Sequence, residues 1–199
     1  MKTRTLLSTL LIALGSVSAF AQTTADTVQR DVNQQTRIEA GLKDGQLNTK
    51  EAGRLERQQA RIDRLQAKDL KNGSLSPQEK AQLQRAQNKA SQNIQAAESN
   101  NIKGNPQSAS SQRLQADVQR DVNQQTRVEQ GLQSGALTHQ EAGKLERGQA
   151  HVDRKQARAA ADGHVGATEQ AGIQTAENHQ SARIFNKKHN ALVKKTVVQ

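Results

Sequence analysis

The sequence predicts an all-α protein made of two tandem three-helix units joined by a flexible linker. Three observations lead to that class. Val28–Arg37 and Val118–Arg127 are the same ten residues, VQRDVNQQTR, and residues 28–67 match 118–157 at 27 of 40 positions without a gap. A repeat at this period marks a duplicated structural unit. Long stretches of Ala, Leu, Gln, Glu, Lys and Arg, all good helix formers, run between Gly-centred turns. Large apolar residues are sparse: from residue 22 onward Leu, Ile, Val and Phe make up 29 of 178 positions. That is too few for a large conventional core or a deep apolar pocket, so narrow-faced helix hairpins or loose bundles in an elongated array are expected.

The elements follow from the punctuation. Lys2 and Arg4 precede an apolar run from Thr5 to Val17, and Ala19-Phe20-Ala21 forms a small-residue cleavage site. Residues 1–21 therefore read as a signal peptide, with the mature chain in a bacterial periplasm or outside the cell. The apolar run is shorter than a bilayer span, and no later segment approaches one. The first unit is expected over 22–98, the linker over 99–112, and the second unit with a basic C-terminal tail over 113–199. Turns at Asp44-Gly45 and Asn72-Gly73 delimit helices over 25–42, 49–71 and 77–98, and Ser134-Gly135 and Asp162-Gly163 repeat them in the second unit. Apolar residues share one face in each: Val28, Val32, Ile38 and Leu42; then Ala52, Leu55, Ile62 and Leu70, joined by Gln59 and Gln66; then Leu83, Ala86, Ala90, Ile94 and Ala97. The linker, SNNIKGNPQSASSQ, collects Asn, Gly, Pro and Ser.

The turns have the look of half an EF hand. Gly45, Leu47 and Glu51 recur as Gly73, Leu75 and Glu79 and as Gly135, Leu137 and Glu141, the sixth, eighth and twelfth positions of a calcium loop. The first and third positions carry no carboxylate, and only Asp44 and Asp162 supply an acid at the fifth. Asn48, Ser76 and Thr138, each three residues before Glu, instead form capping boxes, and Pro77 suits the first position of a helix. Metal binding is therefore the secondary reading. It would be weak and divalent, using Asp44 with Glu51 and Asp162 with Glu169, or the five histidines at 139, 151, 164, 179 and 189, all in the second unit. No two histidines share a helical turn, so no local transition-metal pair exists. The Gly-x-Leu-[Thr/Ser]-x-x-Glu units after a signal peptide, ending in Ser181-Ala-Arg-Ile-Phe-Asn-Lys-Lys-His-Asn190, resemble a family of exported, basic, helical-repeat proteobacterial proteins. The resemblance implies no activity.

Charge gives the principal functional reading. Removing Lys2 and Arg4 from 29 basic residues leaves 27 against 19 acids, a net charge of +8 with histidine neutral. In the second helix Lys50, Arg54, Arg57, Arg61, Arg64 and Lys68 are spaced to lie on one face opposite Leu55, along about 27 Å of helix. Lys144, Arg147, His151, Arg154 and Arg158 repeat the stripe, and Arg30, Arg37, Arg120 and Arg127 lie opposite the apolar side of the first helix in each unit. Glu56 and Asp63 fall to one flank of the stripe, on surfaces expected to be exposed. An anionic partner follows: nucleic acid, outer-membrane phosphates or an acidic protein, held without sequence specificity, since only Phe185 is available for base stacking. His151, standing where the first unit has Arg61, would strengthen binding as it protonates below about pH 6.5. No nucleophile motif, zinc motif or Gly-rich phosphate loop is present, so no enzyme and no cofactor is expected.

Overall fold

Helix formers between capped ends give six helices in the computed structural model, which describes residues 23–190: α1 (Thr24–Lys43), α2 (Thr49–Asp69), α3 (Pro77–Ser99), α4 (Ala109–Gln133), α5 (His139–Ala159) and α6 (Ala167–Lys188). The expected signal peptide and the end of the basic tail lie outside the described residues. No described helix is long and apolar enough to cross a membrane. Capping boxes open α1, α2, α3 and α5 at Thr23, Asn48, Ser76 and Thr138. At α2, Asn48 Oδ1 accepts from Glu51 N at 2.9 Å while Glu51 Oε2 accepts from Asn48 N at 3.2 Å. Gly45 and Gly135 turn the chain between helices with φ of 70° and 67°, a left-handed conformation that favours glycine.

The two halves do not close as separate bundles, as their tandem order suggests they should. Their helices interlock. Gly53 of α2 sits against Ala160 at the end of α5, and Gly143 of α5 sits against Leu70 at the end of α2, so these two helices run antiparallel at close range. Helices α1 and α4 pair in the same way: Ile38 and Leu42 share an apolar cluster with Leu114 and Val118, while Val28 meets Val128 at the other end. The α1/α4 and α2/α5 pairs stack as two layers with the directions alternating around a square. Helix α3 flanks α1 and α2, and α6 flanks α4 and α5. Each apolar cluster draws on both halves. The physical reason is scarcity: one half has too few large apolar residues to cover its own helices, so small Gly and Ala surfaces are buried against the other copy.

The linker shortens and docks. Helix α4 begins at Ala109, inside the stretch expected to be linker. Residues 100–108 pack on the α1–α2 turn, where Gly104 N donates to Gly45 O at 2.9 Å and Asn100 Nδ2 donates to Glu51 Oε1 at 2.8 Å. Gly104 lies so close to the Leu47 backbone that a side chain would overlap it.

The close α2/α5 approach is testable. A Cβ at Gly53 would fall 2.5 Å from Ala160 Cβ, and one at Gly143 would fall 2.9 Å from Leu70 Cβ. Gly53→Val should cost about 1–3 kcal/mol in urea unfolding although valine is no worse a helix former than glycine. Ser76→Ala, removing a cap, should cost about 0.5–2 kcal/mol. Unchanged stability in Gly53→Val would contradict the packing.

Candidate functional site

The two large apolar clusters lie toward opposite ends of the central helices, and between them a layer of buried polar side chains is interleaved with Ile62 and Val152. On α2, for example, Glu56, Gln59, Asp63 and Gln66 separate Leu55 from Leu70, and all four are buried. The equivalents on α5 are Glu146, Gln149, Asp153 and Gln156, also buried. Asp31 of α1 and Asp121 of α4 complete the layer.

These acids form two triads. One oxygen each from Asp31, Asp63 and Glu146, and likewise from Glu56, Asp121 and Asp153, lie within 4.8 Å of one another. Each triad takes residues from both halves, and the 90-residue offset converts one into the other: 31 to 121, 63 to 153, 146 to 56. Asp63 and Asp153 face each other between the triads, so the six carboxyl groups make one continuous cluster.

Amides surround them. Gln66 Nε2 donates to Asp31 Oδ2 at 2.5 Å and Gln87 Nε2 to Asp31 Oδ1 at 2.8 Å. Gln149 and Gln156 each donate to Asp121 at 2.6 Å. Gln35 and Gln125 donate to Glu56 and Glu146 at 3.0 and 3.2 Å. No lysine or arginine forms an ion pair with any of the six; the ion pairs among the described residues are Arg37–Glu98, Arg120–Glu177 and Lys187–Glu141.

Burial without a cationic partner favours the neutral acid. Desolvation pushes Glu56 and Glu146 up to about 8, at Glu146 joined by repulsion from Asp31, and Asp31 up to about 7, the last held back by its Gln87 and Gln66 hydrogen bonds and by the charge of Arg30. Asp63, Asp121 and Asp153 rise well above the usual range because burial is joined by repulsion from neighbouring carboxylates. Beside the triads, burial and repulsion from Asp121 and Asp117 raise Glu177 to about 9, against the opposing charge of Arg120 at 3.1 Å. The expectation that carboxylates here would be exposed and ordinary is thus corrected. Glu56 and Asp63 do not flank the cationic stripe on the surface; they point to the centre of the bundle.

The stripe itself is outward. Lys50, Arg54, Arg57, Arg61, Arg64 and Lys68 are exposed on α2, as are Lys144, Arg147, His151 and Arg158 on α5, with Arg154 and Lys155 half-buried. The α1/α4 layer lies behind both helices, and the antiparallel register sets Arg54 level with Arg158 and Lys68 level with Lys144. Every acid of α2 and α5, including Glu51, Asp69 and Glu141, is buried. The outer face is therefore cationic along its length. His151 sits in that field: partial burial, then Lys155, Arg154, Arg158 and Arg183, hold its imidazole below the usual histidine value. Its protonation is displaced below the pH 6.5 expected from sequence. The first-helix arginines are not part of this face. Arg37 pairs with Glu98 and Ser91, Arg120 with Glu177, and Arg30 and Arg127 donate to Asn88 and Ser181.

The loop acids are not gathered as a metal set. Glu51 and Glu141 turn back to their own helix starts and accept from Asn100 and Asn190. Glu169 accepts from Gly166 N at 2.9 Å, and Asp162 from His164 N at 2.8 Å. Asp44 is exposed as the C-cap of α1. Among the described residues, no group of three metal-ligating side chains includes a histidine. No protein-family model, curated protein or solved structure matches this chain.

The raised carboxyls set the sign of a pH dependence. Folded, Asp31 holds its proton up to about pH 7 and Glu56 and Glu146 up to about 8, and Asp63, Asp121 and Asp153 stay protonated well above their usual range; unfolded, all six release protons near 4. Unfolding therefore releases protons, and in cation-free buffer stability should fall as pH rises from about 4 through about 8. Thermal midpoints at pH 5 should exceed those at pH 8. A midpoint that rises over this range would contradict the buried cluster.

Proposed function

We propose that this protein is an exported, non-enzymatic binding protein whose α2/α5 face holds anionic macromolecules through their phosphate, sulfate or carboxylate groups. The observation that carries the reading is the sorting of charge: on α2 and α5 every acid is buried and the cations line one outer face. A face built for solubility mixes signs, whereas an unmixed cationic surface attracts polyanions and releases their counterions on contact. Neutral buried carboxyls strengthen the effect, because they subtract nothing from the external field. Recognition is by charge and spacing, since the face carries no aromatic residue for stacking bases. The signal-peptide reading of residues 1–21 puts the partner in the periplasm or outside the cell. Outer-membrane phosphates, released nucleic acid and acidic proteins all present the required chemistry.

Affinity for heparin and for duplex DNA should fall steeply with salt. Replacing Arg54, Arg57, Arg61 and Arg64 by Gln should lower the slope on DNA by about 0.9 for each phosphate no longer neutralised, with helicity retained. A charge-matched set on other exposed surfaces, Lys43, Arg85, Lys89 and Lys103 to Gln, should leave most of the slope. Equal reductions from both sets would show that net charge alone binds.

A further inference from the structure

The central cluster has no part in the cationic face, and its chemistry points elsewhere. We infer that the two triads, Asp31–Asp63–Glu146 and Glu56–Asp121–Asp153, are paired binding sites for hard divalent cations of the manganese and calcium type.

Four observations carry this. The three oxygens of each triad lie within 4.8 Å of one another, so a point no more than about 2.8 Å from all three exists, near the 2.3–2.6 Å at which oxygen ligands hold calcium. The donors are carboxylates from three different helices, with no sulfur or imidazole, which suits oxygen-preferring cations. Oxygens remain unpaired inside the cluster: Glu56 Oε1, Asp63 Oδ2, Glu146 Oε1 and Asp153 Oδ2 accept no hydrogen bond although their residues are fully buried or nearly so. Finally, Gln66 and Gln156, both 0% exposed, reach Asp31 and Asp121 through Nε2 and leave Oε1 without a partner. Each triad thus has a neutral oxygen beside it that completes a fourth ligand when the amide turns.

The charge balance supports two ions and not one. Six ionised carboxyls, none ion-paired with a lysine or arginine, form a concentration of negative charge that a low-dielectric interior does not tolerate. Two divalent ions neutralise most of it. Protons and metal compete for the same oxygens, so the sites fill as pH rises. The duplication explains the pairing: every ligand of one site has its counterpart in the other half.

The experiment uses the mature chain, stripped with chelator, at pH 8. Free Mn2+ is followed by its electron paramagnetic resonance signal during titration. The expected result is two Mn2+ bound per chain, one after Asp31→Asn, and none after Asp31→Asn with Asp121→Asn. Each Asn keeps the size of Asp and removes a buried charge, so circular dichroism should show the variants folded without metal. A loop variant, Asp44→Asn, Glu51→Gln, Asp162→Asn and Glu169→Gln together, should still bind two, and Ca2+ should displace Mn2+. Without any variant, Mn2+ should raise the thermal midpoint at pH 8 and broaden the side-chain amide NMR signals of Gln66 and Gln156 first. The inference is overturned if no Mn2+ binds below millimolar concentration, if the triad double variant still binds two, or if binding disappears in the loop variant. Broadening centred on residues 44–51 or 162–169 overturns it as well. Polyanion binding by the α2/α5 face is read separately by its salt slope, and neither outcome decides the other.

Discussion

Asp63 and Asp153 meet across the seam between α2 and α5, and the rest of the structure is arranged around having put acids there. A carboxylate cluster in a low-dielectric interior is stable only if it is neutralised or paired, and no lysine or arginine forms an ion pair with it. The fold answers with amides. Gln35, Gln66, Gln87, Gln125, Gln149 and Gln156 supply donors from several helices, fixing side-chain positions that an apolar core of this size could not specify. The apolar clusters are pushed to the two ends of the bundle, where they seal the polar layer from solvent.

Shared burial also explains why two copies in one chain make one body. Gly53 and Gly143, with Ala60, Ala67, Ala150 and Ala157, let α2 and α5 approach closely along an antiparallel seam. One half contributes Asp31 and Asp63 to a triad that the other completes with Glu146. The interface has the self-complementary form of a two-fold dimer, with the connection at 100–108 docked on the first turn. Charge sorting is the outward face of the same arrangement. Acids of α2 and α5 that would have offset the cations are consumed inside, so a chain with 19 acids presents a nearly pure cationic surface on one side.

Much of this is legible in the sequence. The six helices, their caps, the left-handed glycines and the apolar positions Val28, Ile38, Leu55, Ile62 and Ile94 follow from spacing and turn chemistry, and Gln59 and Gln66 are visible on the buried side of α2. The pairing of halves is not, because helical periodicity says which face is buried and not which helix covers it. Glu56 and Asp63 are misplaced by the same reading for a related reason. They lie at the edge of the apolar arc, about 100° and 80° from Leu55, where a wheel cannot distinguish a wet flank from a seam packed against a small-residue helix. The signal is in the repeat: at all three acid positions the two copies carry the same residue, while some neighbouring exposed positions, such as Arg61 and His151, differ. Small residues beside them, Gly53 and Ala60, mark close helix approach.

The direct test of a buried, cation-free cluster is its ionisation. In the chelator-stripped chain labelled with carbon-13, the side-chain carboxyl resonances of Asp and Glu can be followed from pH 3 to pH 10. Asp31, Glu56 and Glu146 should titrate at about 7 to 8, with Asp63, Asp121 and Asp153 also far above their usual range. If all six titrate near 4 with the fold intact, the carboxyls are wet or separated, and the bundle is not organised around a buried acidic cluster.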